Sequence, residues 1–263
     1  VADGSLRAVT NPSSAASVAS VHVVVVPTLL TAANEPDLSA LEAVLDDIAA
    51  GLDPGDTVCV ESTVPPRTCA DVVTPHLAAR SDVPEGEFGV AFCPERTLSG
   101  RALTDIRRAY PKVVGGVDAE STRVAALLYG EVTDNEVIEL PDATTAEATK
   151  VFSGVYRDVN IALANEFARY ADALDIDVRT AIEAANSQPH AKILSPGPGV
   201  GGHCIPVYPY FLLEEFDVHS PLVRVARAVN DSMAGHAVDL LRDRKSTRLN
   251  SSHYRTSRMP SSA

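Results

Sequence analysis

The strongest constraint on this chain is the alternation of short apolar runs with helix-spaced segments between Val21 and Glu139. Val21–Pro27 is a continuous apolar run, the pattern of a strand buried on both faces of a parallel sheet. Leu38, Leu41, Leu45 and Ile48 follow at helical spacing across 37–50. The turn Asp53-Pro54-Gly55-Asp56 leads into a strand over 57–61, and a helix follows Pro65-Pro66. Strands are expected at 88–92 and 112–116, a helix at 119–129 and a strand near 136–139. Such βαβ repetition implies a doubly wound parallel sheet. Ligands in sheets of this kind bind at the carboxyl ends of the strands. Thr28, Ser62-Thr63 and Cys93-Pro94-Glu95-Arg96 fall at those ends.

After Pro141 the pattern becomes helical. The stretch 144–176 reads as one helix of about 30 residues, roughly 45 Å long. A second helix is expected over 179–186, then a Gly/Pro loop, then a helix over 221–241. The expected organisation is a nucleotide-binding domain over 1–141 and an all-helical domain over 142–242. Residues 1–20 show little periodicity. No strand–G-x-G-x-x-G–helix unit with its acidic residue precedes Val21, so the expected Rossmann-like sheet is partial, without its first βαβ unit. From Asp243 the composition changes abruptly. Lys245-Ser246-Thr247-Arg248-Leu249-Asn250 resembles translated adapter sequence, and 243–263 is read as a non-native tail, a disordered basic tail being the other reading.

The 263 residues carry a formal charge of −13, and the stretch before the tail holds 17 basic and 34 acidic residues. Such a surface disfavours nucleic acid and anionic membranes. No apolar run approaches the roughly 18–20 residues of a membrane span, and the N-terminus lacks a targeting pattern; a cytoplasmic protein is expected. The cysteines at 59, 69, 93 and 204 form no C-x-x-C pair, which argues against a disulfide framework or a metal site. Cys59 lies in a strand-like run and suits a core position.

Two groups of residues carry possible chemistry. In Pro196-Gly197-Pro198-Gly199-Val200-Gly201-Gly202-His203-Cys204 the glycines let main-chain N–H groups approach a polar ligand. A cysteine at the end of such a loop meets the conditions for a nucleophilic thiolate. The alternative is a tight connection between two helices, with Cys204 buried incidentally. Lys150, Gly154 and Arg157 share one helical face; an ammonium there could stabilise an oxyanion and a guanidinium could bind sugar or phosphate. The alternative is a solvated polar stripe.

Taken in order, five motifs resemble the UDP-glucose/GDP-mannose dehydrogenase family. They are Glu61-Ser62-Thr63-Val64-Pro65-Pro66, Cys93-Pro94-Glu95-Arg96-Thr97-Leu98, Ala146-Glu147-Ala148-Thr149-Lys150, the stretch from Tyr156 to Glu166, and the Cys204 loop. The resemblance covers about 21–241, and Arg157-Asp158-Val159-Asn160 and Gly201-Gly202-His203-Cys204 look most like the UDP-N-acetylmannosamine branch. It implies oxidation of a UDP-sugar C6 alcohol to the carboxylate with two NAD, through a thiohemiacetal and a thioester on cysteine. By resemblance Cys204 is the nucleophile and Lys150 stabilises oxyanion character at C6. Arg96, Thr97, Gly154, Arg157, Gln188, His190 and Gly201 match substrate-binding positions; Thr28 and Thr63 match cofactor-binding ones. A homodimer through the long helix is implied.

The sequence also departs from the pattern. Gly154 stands where the branch usually has Asn, and Gln188 and His190 where it has His and Arg. UDP-N-acetylglucosamine and UDP-glucose therefore remain alternative substrates. Tyr208 replaces an Asp that the resemblance assigns to the water steps, and slower thioester hydrolysis is expected. Arg67 replaces a usual Gly and Leu29 a usual Pro. An inactive truncated fragment, acting as a dimerising helical module, is the reading from another class.

Overall fold

The computed structural model describes residues 6–98 and 100–256, with side chains up to residue 242. The chain divides into two compact units, one running to Gly154 and including Val207–Val218, the other holding Val155–Pro206 and the residues from His219 onward. The boundary expected between 141 and 142 lies just before the long helix that starts at Ala143, whereas the division by packing falls inside that helix.

The first unit is built on a five-stranded sheet. Its chain order is β1 (Val21–Val24), a small antiparallel ribbon of β2 (Leu29–Leu30) and β3 (Pro36–Asp37), then β4 (Thr57–Val60), β5 (Gly89–Phe92), β6 (Lys112–Gly116) and β7 (Val137–Glu139). The sheet order is β1-β4-β5-β6-β7. Side chains along a strand alternate between faces, and the two faces have separate cores. Val58, Val60, Val90, Phe92 and Val113 pack with Leu41 and Leu45 of α2 (Ser39–Ala49) and Leu77 of α3 (Thr74–Arg80). Cys59, Ala91, Cys93 and Val114 pack on the other face with Ala125 and Tyr129 of α5 (Ala119–Val132). Each of the buried Val, Leu and Phe side chains contributes about 1.5–3 kcal/mol by leaving water. Helices on both faces give the doubly wound, Rossmann-like layering expected from the sequence.

Two details differ from the expectation. The apolar run at β1 is not buried on both faces: His22 and Val24 are buried, while Val21, Val23 and Val25 are exposed. In the described residues β1 pairs with β4 alone, and α5 packs over β4, β5, β6 and β7, leaving that face of β1 open. Nor is the sheet wholly parallel. β1, β4 and β5 run parallel, β6 is antiparallel to β5, and β7 is parallel to β6. A parallel neighbour requires a long crossover, usually a helix. Among the described residues, the stretch between β5 and β6 holds only the short α4 (Ala102–Thr104) and a five-residue π-helical segment, Asp105–Ala109. The chain therefore turns back, and Lys112 comes to the edge where β4 and β5 end. At the N-terminal side, where the sequence shows little periodicity, Pro12 starts the short helix α1 (Pro12–Ala16) and Ser13 Oγ donates to Asp47 at 2.6 Å.

The helix α6 (Ala143–Leu174) is continuous over 32 residues. Beyond Gly154 it belongs to the second unit, with α7 (Val178–Asn186) and α9 (Pro221–Thr256). Asp177 caps α7, accepting from the N–H groups of Arg179 and Thr180, as an N-cap carboxylate does. The described elements of this unit are helical, as expected. The short α8 (Tyr210–Leu213) lies in the segment returned to the first unit. The reading of 243–263 as a non-native tail falls on residues whose side chains lie outside the described residues.

Candidate functional site

In the first unit the candidate residues gather at the carboxyl ends of β1, β4 and β5. Ser62 sits between the first two strand ends: its Oγ accepts the Val26 N–H at 2.7 Å. Thr28 is half-buried, and its hydroxyl is a buried polar atom without a hydrogen-bond partner among the described residues. Such an atom costs free energy unless a ligand or water completes it. Thr63, just beyond β4, lies 3.2 Å from the Tyr208 hydroxyl.

Beyond β5, Glu61, Lys112 and Tyr129 form a partly buried cluster that sequence reasoning missed. Lys112 Nζ donates to Glu61 at 2.8 Å and to the Cys93 carbonyl at 2.8 Å, and lies 4.1 Å from the centre of the Tyr129 ring. The Tyr129 hydroxyl donates to the same Glu61 oxygen at 2.7 Å, and burial holds that phenol protonated well above its ordinary range. The cluster borders a cavity of about 110 Å³ lined also by Glu95, Arg96 and Thr97. Arg96 stacks on Tyr110 and donates to the Pro111 carbonyl; the Thr97 N–H donates to Glu95. Lys150, on α6, donates to the Glu95 carbonyl, with the Glu95 carboxylate 4.0 Å away. Lys150 is 9% exposed, so the solvated-stripe reading fails for it. Arg157, further along the helix, is exposed.

One turn before Lys150, Glu147 is fully buried and also escaped the sequence reading. Its two oxygens accept the backbone N–H groups of Arg67 at 2.5 Å and Cys69 at 2.7 Å. It thus ties α6 to the loop that continues from Thr63. Burial outweighs these two donors and pushes its pKa up to about 7. Arg67 has φ +80°, a left-handed conformation that glycine adopts without strain.

In the second unit the Gly/Pro loop presents Cys204 to solvent, whereas Cys59, Cys69 and Cys93 are buried. This removes the alternative of an incidentally buried thiol. Gly202 has φ +90°, which explains a glycine two residues before the cysteine. Gly201, Gln188 and His190 are exposed. What holds the loop is a set of amides on α6. Asn160 Oδ1 accepts the Leu194 N–H and its Nδ2 donates to the Lys192 carbonyl, at 2.9 and 2.7 Å. Asn165 Oδ1 accepts the Gly197 N–H at 2.9 Å, while its Nδ2 donates to Asn230. Asn230 donates in turn to Asp158, which also takes Arg227 Nη1 at 2.6 Å. Burial raises the Asp158 pKa against the Arg227 charge and the donated hydrogen bonds. The sequence carried a signal for this: Asp158 and Asn165 interrupt the buried stripe Val151, Val155 and Ala162. Replacing Asn165 with Ala should cost about 1–3 kcal/mol by orphaning buried partners. It should also speed modification of Cys204 by a thiol reagent; urea melts and labelling kinetics measure both.

Among the described residues no group of three or more His, Cys, Asp or Glu could hold a metal ion, and no helix is long and apolar enough to cross a membrane.

The UDP-glucose/GDP-mannose dehydrogenase family has an NAD binding domain whose pattern matches residues 1–133 and a central domain whose pattern matches 144–232. The UDP-N-acetyl-D-mannosamine dehydrogenase of Methanocaldococcus jannaschii is 38% identical over 242 residues, covering 91% of this chain and 54% of that protein. The NDP-N-acetyl-D-galactosaminuronic acid dehydrogenase of Ralstonia nicotianae is 37% identical over 246 residues, covering 91% and 57%. The solved UDP-D-ManNAc dehydrogenase of Pyrococcus horikoshii superposes with a TM-score of 0.84 at 38% identity, covering 88% of this chain and 55% of that one. The chain thus spans about half the length of the relatives it matches.

Proposed function

Since the chain belongs to the UDP-glucose/GDP-mannose dehydrogenase family, we propose that it serves an NAD-dependent nucleotide-sugar 6-dehydrogenase acting on UDP-N-acetyl-D-mannosamine. The observation that carries this reading is Cys204, exposed at the end of a glycine loop while the other three cysteines are buried. Its thiolate adds to the C6 aldehyde to give a thiohemiacetal; loss of a second hydride gives a thioester, and water releases the carboxylate. NAD supplies the hydride acceptor, one for each two-electron step. Thr28 and Thr63 are assigned to hold it, and the orphaned Thr28 hydroxyl fits a ligand there. Lys150 offers its ammonium to oxyanion character at C6, on a helix fixed by Glu147. Arg96, Thr97, Gly154, Arg157, Gln188, His190 and Gly201 are assigned to the sugar nucleotide.

On this reading 1–141 is the NAD-binding domain and 142–242 the central domain, in a cytoplasmic homodimer. The exposed Tyr170, Leu174 and Ile176 on and after α6 offer the apolar surface for a second copy. Sedimentation should give a dimer; a monomer alone would contradict it.

Incubation with NAD⁺ and UDP-N-acetyl-D-mannosamine should release two NADH per sugar, followed at 340 nm, and UDP-N-acetylglucosamine and UDP-glucose should turn over more slowly. A faster reaction with either would reassign the sugar, and no turnover with any would overturn the reading.

A further inference from the structure

Two departures from the family's sequence pattern, Gly154 and Tyr208, meet within the first unit. A Cβ built at position 154 would collide with Cδ2 of the Tyr208 ring and lie 3.2 Å from its Cγ and Cε2. The ring is 9% exposed, packs against Phe211 with centroids 5.9 Å apart, and places its hydroxyl 3.2 Å from the Thr63 hydroxyl. Held at both ends, it can give way to a larger residue at 154 only by disturbing these contacts. Gly154 lies inside α6, where glycine is normally worse than alanine, so its presence needs a reason from packing.

We propose that Gly154 and Tyr208 are a coupled pair: the helix gives up a side chain at 154 to seat the Tyr208 ring, whose phenol positions the Thr63 hydroxyl at the end of β4. Tyr208 is then a positioning residue in this chain. Its ring closes the space over 154. The role given to Thr63 rests on the proposed function; the packing of the pair does not.

A thermal-unfolding cycle tests the packing. G154A alone should lower the midpoint by several degrees, because the ring must move. In a Y208A background the same change should raise the midpoint, since alanine is the better helix former once the ring is gone. Y208F keeps the ring, so G154A should remain destabilising beside it. Equal shifts of one sign in all three backgrounds would overturn the pair. NADH fluorescence titration tests the phenol. Y208F and T63V should each weaken binding severalfold with little change in midpoint, and the double variant should be no weaker than either. Unchanged affinity in Y208F would remove the positioning role. An absence of NADH binding by the unaltered chain would remove that role together with the cofactor assignment of Thr63, while the thermal cycle would still decide the ring.

Discussion

Replacing Cys204 with Ala is expected to abolish the second oxidation of a UDP-sugar, and with it the second NADH and the carboxylate, by about a thousandfold or more, with the fold intact. The chemistry asked of the thiol explains the size. Without an adduct at C6 there is no thiohemiacetal, so the aldehyde cannot lose its second hydride as a bound species. A thousandfold loss corresponds to about 4 kcal/mol of transition-state stabilisation, modest beside measured losses of catalytic nucleophiles. Because Cys204 is exposed and the other three cysteines are buried, the substitution removes little packing, and the melting midpoint should move by no more than a degree or two. A stable variant that still makes two NADH and one carboxylate per sugar at near the original rate would end the nucleophile assignment. Adduct formation with the unaltered chain, detected by mass spectrometry, gives an independent measure: Tyr208 in place of the usual Asp should let the thioester accumulate.

Glu147→Ala should be the most damaging single change to stability, at roughly 2–6 kcal/mol, because it leaves the buried Arg67 and Cys69 N–H groups without acceptors. The same residue should give the chain a distinctive pH response. Its pKa rises from 4.5 to about 7 on folding, so the folded chain keeps a proton that the unfolded chain has released. Stability should be highest below about pH 4.5, as far as Glu147 alone contributes, and fall by about 3 kcal/mol as pH rises to about 7. Glu147→Gln, which does not titrate, should flatten this slope in urea melts taken across that range; an unchanged slope would place the titration elsewhere. Arg67→Gly should add stability at the same locus, about 1 kcal/mol, by relieving a non-glycine residue at φ +80°. The gain comes from the backbone angle, which the residue types alone do not reveal.

The sequence by itself determined the alternation of strands and helices, the long helix and the place of Cys204 at the end of a glycine loop. These depend on period, on glycine and proline placement, and on the order of local motifs, all carried within short windows of chain. It also held Lys150 and Thr63 in recognisable motifs. Only the tertiary structure decided the rest. The antiparallel β5–β6 pairing follows from the path of the connection between them, and the open face of β1 from which helices cover which strands. Glu147 gains its meaning from partners some 80 positions away in sequence, as Tyr208 does from Gly154 and Thr63. The solitary thiol was expected either buried by accident or presented on its loop; it is exposed, and the amides of Asn160 and Asn165 hold that loop. A residue pattern records what each segment prefers locally. Which buried donors face which acceptors, and which ring fills the space over a glycine, are settled only when distant segments pack.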